Sequence, residues 1–203
     1  MKILLPALVV ALSALALPVH AERADRNQPM NVEADALRYD DLNQTSVFTG
    51  RVVLTKGTIL VRGARVDVRQ DPEGYQHGVV TAAPGERAFF RQKREGVDEY
   101  IEGEGEVIEY DGKADRVKFI RRAEMRRYRG ATLADETSGS LITYDNTTDV
   151  FTVDGGPSSP TPGGRVRAVL APRDAASAPA AGARPAAPPA QLRPSTTLRG
   201  DAR

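Results

Sequence analysis

Glu102, Glu104 and Glu106 alternate with glycines, in a chain with no cysteine and with one histidine, His77, beyond its amino-terminal run. On a strand this spacing puts three carboxylates on one face, which could attract a divalent cation. A solvated strand face is the preferred reading. Arg121-Arg122, Arg126-Arg127 and Arg129 carry charge that could meet lipid phosphates through charge-assisted bonds. Neighbours on a strand point to opposite faces, however, so this run cannot form one patch. Asp40-Asp41 reads as turn-forming aspartates rather than a carboxylate dyad, and His77, in a Gly-flanked turn region, reads as a surface residue. The sequence holds no Gly-x-Ser-x-Gly, no paired metal-ligand spacing and no phosphate-binding glycine loop. The chain is therefore read as a non-enzyme, with no metal site and no cofactor. A glycan-acting enzyme built on Glu102, Glu104 or Glu109 is set aside.

The elements that position these residues are marked by a repeated phrase. Ala36-Leu37-Arg38-Tyr39-Asp40 leads to Phe48, Val107-Ile108-Glu109-Tyr110-Asp111 to Phe119, and Leu141-Ile142-Thr143-Tyr144-Asp145 to Phe151. A blurred copy lies at Ala64-Arg65-Val66-Asp67-Val68, giving a period of roughly 30 to 35 residues, as in folds whose unit cannot bury its own apolar face. Apolar residues alternate with polar ones, as at Met30, Val32 and Ala34, and short turns such as Lys56-Gly57, Asp71-Pro72-Glu73-Gly74 and Asp111-Gly112 punctuate them. This pattern predicts an all-β fold of many short antiparallel strands, a sandwich, barrel or jelly roll, without a convincing amphipathic helix. The last strand is expected over Arg165 to Leu170.

The two ends bound the domain. Lys2 precedes an apolar run from Ile3 to Val19, and Val19-His20-Ala21 places small residues where a signal peptidase reads, so residues 1–21 are expected to be a signal peptide cleaved after Ala21. A retained membrane anchor fits less well, because the run contains Pro6 and Pro18 and is short for a span. From about Arg173 the composition turns to Ala, Pro, Ser and Arg, and residues 173–203 are expected to be a disordered tail. One domain, residues 22–172, remains. Without cysteine it must be stabilised by its own apolar core. With 28 Lys and Arg against 27 Asp and Glu, the full chain lacks the basic excess that nucleic-acid binding needs.

The run Asn27-Gln28-Pro29-Met30-Asn31-Val32-Glu33-Ala34-Asp35, followed by Val47-Phe48-Thr49-Gly50-Arg51-Val52-Val53-Leu54-Thr55-Lys56-Gly57-Thr58, resembles the opening of the OstA-like family. The likeness continues through Tyr110-Asp111 and Tyr144-Asp145 to Arg165-Val166-Arg167-Ala168-Val169-Leu170-Ala171-Pro172. The leader differs from the transmembrane helix of the inner-membrane LptC-like relatives, and the chain is too short for the barrel of the outer-membrane LptD-like ones. The resemblance implies an open, twisted, V-shaped antiparallel β-jelly roll in the periplasm. Such a protein joins head to tail with itself and with LptC-like and LptD-like partners, and carries lipopolysaccharide between the membranes while an ATPase elsewhere supplies the energy.

On that resemblance the acyl chains of lipid A would lie in a groove between the sheets, each buried methylene contributing about 0.8 kcal/mol. Period-two phase and the family's strands place Met30, Val32, Leu37, Phe48, Val52, Leu54, Ile59, Val61, Val66, Val68, Phe90, Tyr110 and Phe119 along it. The same residues would serve as an ordinary sandwich core. Strands at the ends of an uncapped stack offer unpaired backbone groups for joining copies. The expected edges are Met30, Asn31, Val32, Glu33, Ala34 and Asp35 at one end and Arg165, Val166, Arg167, Ala168, Val169 and Leu170 at the other, unless the monomer covers them. An adaptor protein of the cell envelope, with a dry core and no lipid transfer, is the alternative function.

Overall fold

Each Tyr-Asp phrase forms the strand that enters a tight turn, and the aspartate closes that turn. Asp111 Oδ1 accepts the backbone N–H groups of Lys113 and Ala114, both at 3.0 Å, and Asp145 Oδ1 accepts those of Thr147 and Thr148 at 2.9 and 3.1 Å. Asp40 accepts the N–H of Asn43 at 3.1 Å. The chain then returns in a register that decides where each phenylalanine lands. Phe48 and Phe119 stand opposite Leu37 and Ile108, whereas Phe151, two residues nearer its tyrosine, stands opposite Tyr144 itself.

The computed structural model describes residue 25, residues 28–94 and residues 96–172. The expected signal peptide and tail lie outside the described residues. In chain order the strands are β1 (Met30–Glu33), β2 (Ala36–Asp40), β3 (Thr45–Lys56), β4 (Ile59–Gln70), β5 (Gln76–Thr81) and β6 (Ala88–Lys93), then β7 (Glu99–Gly105), β8 (Val107–Asp111), β9 (Arg116–Arg129), β10 (Thr132–Asp145), β11 (Val150–Asp154) and β12 (Arg167–Leu170). Among the described residues the helical content is one 3₁₀ turn, Pro162–Gly164.

All pairings are antiparallel, and they sort into two layers. One sheet runs β2, the first half of β3, the second half of β4, β5, β8, the first half of β9, the second half of β10, and β11. The other runs β1, the second half of β3, the first half of β4, β6, β7, the second half of β9, the first half of β10, and β12. Long strands cross from one sheet to the other, and short strands do the same in end-to-end pairs. The result is the V-shaped jelly roll, with a crease along which every lane of the fold bends.

Local chemistry makes the crease. In β3 the bend falls at Gly50 and Arg51, whose φ values are 77° and 42°, and the register with β4 shifts there. A Cβ on Gly50 would lie 2.3 Å from the Asp35 carboxylate, so only glycine fits. In β9 the bend falls at Arg121 and Arg122, at φ 59° and 47°, a left-handed conformation costly for residues with a Cβ. Hydrogen bonds hold them: Arg121 Nε donates to Glu106 at 2.8 Å, and Arg122 Nη2 donates to the carbonyls of Gly85 and Glu86 at 3.0 and 2.6 Å. Two arginines of the basic run thus fasten the crease.

Residues paired across antiparallel strands point to the same side, so the registers trace continuous inner rows. In the first sheet one row is Leu37, Phe48, Val66, Val80, Ile108, Phe119, Ile142 and Val153. In the second sheet the corresponding row is Val32, Leu54, Val61, Phe90, Gly103, Met125, Thr137 and Ala168. The rows meet at the centre, where Phe90 and Phe119 pack edge to face at 5.9 Å and the Phe119 ring lies over Gly103.

Candidate functional site

The turns opposite the crease form the mouth of the V. Between its lips lies a cavity of about 710 Å³. The second sheet contributes Lys56, Thr58, Ile59, Lys93, Arg94 and Ile101, and the first sheet contributes Tyr110, Asp115, Tyr144, Asn146 and Asp149. Ile59, Ile101, Tyr110 and Tyr144 give it an apolar floor, and charged residues give it a rim. A smaller apolar pocket of about 60 Å³ lies beside it, lined by Met30, Leu54, Val61, Val66, Val68 and Phe90 among others. Such a site, apolar in its depth and polar at its opening, suits a chain-like apolar ligand with a polar end.

The expected groove residues all lie on inner rows, at different depths. Val52, Val66, Phe90 and Phe119 are at most 2% exposed and pack as core against the crease. Leu54, Ile59 and Val61 are also buried, while Met30, Val32, Phe48, Val68 and Tyr110 are half-buried and pack against that core. Leu37 continues the inner row but is 60% exposed, because among the described residues no strand lies beyond β2. Inner residues that the sequence reading did not place in the groove include Val80, Ile101, Ile108, Val117, Met125, Ile142 and Tyr144. The phrase Ile142-Thr143-Tyr144, in phase with Leu37-Arg38-Tyr39, was a signal for two of them.

Both expected edge strands are paired on one side only among the described residues, β1 with β3 and β12 with β10. Their lengths differ from expectation. Ala34 and Asp35 leave β1, since the chain bends there to enter β2: the Asp35 N–H reaches the carbonyls of Thr49 and Gly50, and its carboxylate pairs with Arg51 at 2.6 Å. Arg165 and Val166 precede β12, because the Arg165 carbonyl is taken by Ser159 Oγ at 2.7 Å. β2 and β11 form the matching free edges of the first sheet, and exposed apolar residues stand on three of the four edge strands, Leu37 and Tyr39 on β2, Val150 on β11, and Val169 and Leu170 on β12.

The charged residues that opened the sequence reading form a network on the outer face. Glu104 and Glu124 both pair with Arg87 and Arg126, Glu102 pairs with Arg91, and Glu106 with Arg121 and Arg122. Burial alone would raise the Glu124 carboxyl, but Arg87 and Arg126 outweigh it and hold it below its ordinary range. These glutamates are occupied by guanidinium groups, and among the described residues no cluster suited to a metal ion occurs. His77 stands between Asp71 and Asp111, at 3.3 and 3.4 Å, and ties two turns together. Of the basic run, Arg127 turns inward to pair with the buried Asp135, and Arg129 pairs with Glu99.

The turn aspartates make the fold acid-sensitive. Asp111 is held below the usual carboxylate range chiefly by the Ala114 N–H, Asp145 by Arg116, and Asp40 by the Asn43 side chain. A carboxyl depressed on folding stabilises the native state above its unfolded pKa near 4, and that contribution is lost as pH falls through the lower folded value. The unfolding temperature is expected to drop below about pH 4, and Asp111→Asn with Asp145→Asn to make the drop shallower. Identical acid limbs in a melt series would count against this account.

The LptA/(LptD N-terminal domain) LPS transport protein family matches residues 31–150. The chain is 34% identical over 132 residues to the lipopolysaccharide export system protein LptH of Pseudomonas aeruginosa, covering 65% of this chain and 69% of that protein. It is 30% identical over 139 residues to the lipopolysaccharide export system protein LptA of Escherichia coli strain K12, covering 68% and 71%. The crystal structure of Pseudomonas aeruginosa LptH, described as the LptA-homologous periplasmic component of a conserved lipopolysaccharide transport device, superposes with a TM-score of 0.63 at 27% identity, over 73% of this chain and 99% of that one. The matched residues run from β1 to β11 and so take in both inner faces and the mouth; on that extent of agreement the chain belongs to the LptA/(LptD N-terminal domain) LPS transport protein family.

Proposed function

We propose that this chain is a periplasmic bridge protein that carries lipopolysaccharide from the inner to the outer membrane, holding the acyl chains of lipid A between its sheets. The observation that carries the reading is the pair of inner rows that run without a break from the free edge at β1 and β2 to the free edge at β11 and β12. Successive strands alternate in direction across each sheet, so a second copy placed with its β1 and β2 against β12 and β11 continues both sheets antiparallel and prolongs both inner faces. The same edges would receive an LptC-like protein at the inner membrane and an LptD-like protein at the outer one. The functions of the family's named members and the periplasmic setting of the LptH structure support this assignment. Residues 1–21 serve as a signal peptide cleaved after Ala21, residues 22–172 form the working domain, and residues 173–203 are a tail. The chain itself performs no catalytic step.

The packed centre around Phe90 and Phe119 is also what an adaptor with a dry interior would have. Lipid adducts separate the two. Photocrosslinkers in cells at Ile59, Tyr110 and Tyr144, which line the cavity, are expected to trap lipopolysaccharide, while Asp67 and Glu109 on the outer face trap none. A folded, exported protein without adducts at any of these positions would leave the adaptor reading standing.

A further inference from the structure

Side-chain contacts cross the mouth on both sides of the cavity. On the β1 side, Lys56 Nζ at the β3–β4 turn donates to Gln76 Oε1 on β5 at 2.8 Å. On the β12 side a chain of four residues spans the lips. Arg94, in the loop after β6, is anchored to its own lip by its ion pair with Glu99 and by its backbone N–H, which donates to the Glu99 carbonyl at 2.9 Å. Its guanidinium reaches across to Asp149 in the β10–β11 turn, with Nη2 at 3.0 Å from Oδ2 and Nε at 3.3 Å from Oδ1. Asp149 is fixed to the opposite lip by the Tyr144 hydroxyl, which donates to Oδ1 at 2.7 Å, and sits at φ 56°, the left-handed turn position that Gln44 and Asp115 occupy in the equivalent turns.

Three features make this more than a surface ion pair. The Arg94 side chain is 19% exposed, and although Asp149 is 53% exposed, the guanidinium end of the pair is screened incompletely by solvent. Both ends are anchored before they meet, which removes most of the side-chain entropy that makes surface pairs weak. Arg94, Tyr144 and Asp149 also line the cavity, so an apolar chain passing sideways through this part of the mouth must part them. The neighbouring rim, by contrast, is no anion trap: Lys93 is paired with Asp98, and Asp25 and Asp115 line the same cavity.

We propose that Glu99, Arg94, Asp149 and Tyr144 form an electrostatic latch that closes the mouth against sideways escape of acyl chains and leaves movement along the sheets unhindered. The inference rests on the lipid-carrying reading above. It makes the ion pair a kinetic barrier: opening it speeds both entry and exit.

The test uses the full exported chain and fluorescently labelled lipopolysaccharide, with uptake and release followed by stopped flow. Asp149→Asn keeps an acceptor for Tyr144 while removing the charge, and Arg94→Gln removes the other partner. Each is expected to raise both rates about three- to tenfold, as expected of a part-buried charge pair. The double variant is expected to be no faster than either single one, as members of one contact behave. Raising the salt concentration should speed exchange in the natural protein and not in the variants. If the natural chain takes up lipopolysaccharide but the variants exchange at its rate, the latch is wrong and the carrier reading stands. If the natural chain takes up none, both fall. Should a variant fail to fold, the salt series on the natural protein decides, since exchange indifferent to salt overturns the latch.

Discussion

Gly103→Ala destabilises the folded domain by on the order of 3 kcal/mol, and Phe119→Leu in the same chain recovers a large part of the loss. The methyl group would lie 2.1 Å from Cζ of Phe119 and 2.2 Å from Cε1, in a ring that is itself wholly buried. The ring has little room to retreat: Phe90 packs against it at 5.9 Å, and its neighbours along the inner row, Ile108 and Ile142, are fully buried. Forcing one methyl into a closed core costs about 1–3 kcal/mol, and losing the contacts of a displaced phenylalanine adds to it, against a total stability of about 5–15 kcal/mol for a domain. Chemical denaturation of the two single variants and the double one measures the coupling. If Gly103→Ala shifts the midpoint no more than Gly78→Ala, where the backbone is extended and a Cβ would meet Tyr110 Cβ only at 3.9 Å, the two sheets are not in contact at this point.

That prediction falls in the very segment where the sequence misdirects. Glu102-Gly103-Glu104-Gly105-Glu106 invites attention to its carboxylates, and these prove to be outer-face partners of Arg87, Arg91, Arg121 and Arg126. Of the glycines between them, Gly103 faces inward and admits the ring of Phe119, and Gly105 lies against the backbone of Ile120. Alternation told which residues share a face, but not which face is buried, because neither glutamate nor glycine is apolar. At the Tyr-Asp phrases the same alternation was unambiguous: the tyrosine and the residue two before it belong to inner rows, and the aspartate closes the turn.

The bends were hidden for a different reason. Arg51, Arg121 and Arg122 adopt left-handed backbone that their side chains disfavour, so nothing in their type announces a crease. The contacts that hold it join positions far apart in the chain, such as Arg122 with Gly85. The rim of the mouth is equally non-local, Arg94 and Asp149 being 55 residues apart. Strand phase fixed the apolar lining of the first half of the chain, but which charged residues stand over it depends on how eight lanes fold across one crease. The ends of the edge strands were displaced by side-chain bonds of the same kind, Asp35 to Arg51 and Ser159 to the Arg165 carbonyl.

Val68→Glu lowers the affinity for lipopolysaccharide about ten- to hundredfold on the proposed reading, and leaves the domain folded. Val68 is half-buried on β4 and lines the smaller pocket, with Ser46 and Gly78 beside it on the inner row. A glutamate there can turn its carboxylate toward the mouth when the groove is empty, so the cost to folding is small. Once acyl chains fill the groove, that carboxylate must lose its water or exclude several methylenes, each contributing about 0.8 kcal/mol, and two or three of them account for the whole effect. Arg69→Gln, on the opposite face of the same strand, is the matched control and is expected to leave affinity unchanged. Titration of labelled lipopolysaccharide into each variant, with thermal melts in parallel, gives the comparison. Equal affinities in Val68→Glu and Arg69→Gln would place the acyl chains outside this half of the V, and the floor at Ile59, Ile101 and Tyr144 would then be the surface to test.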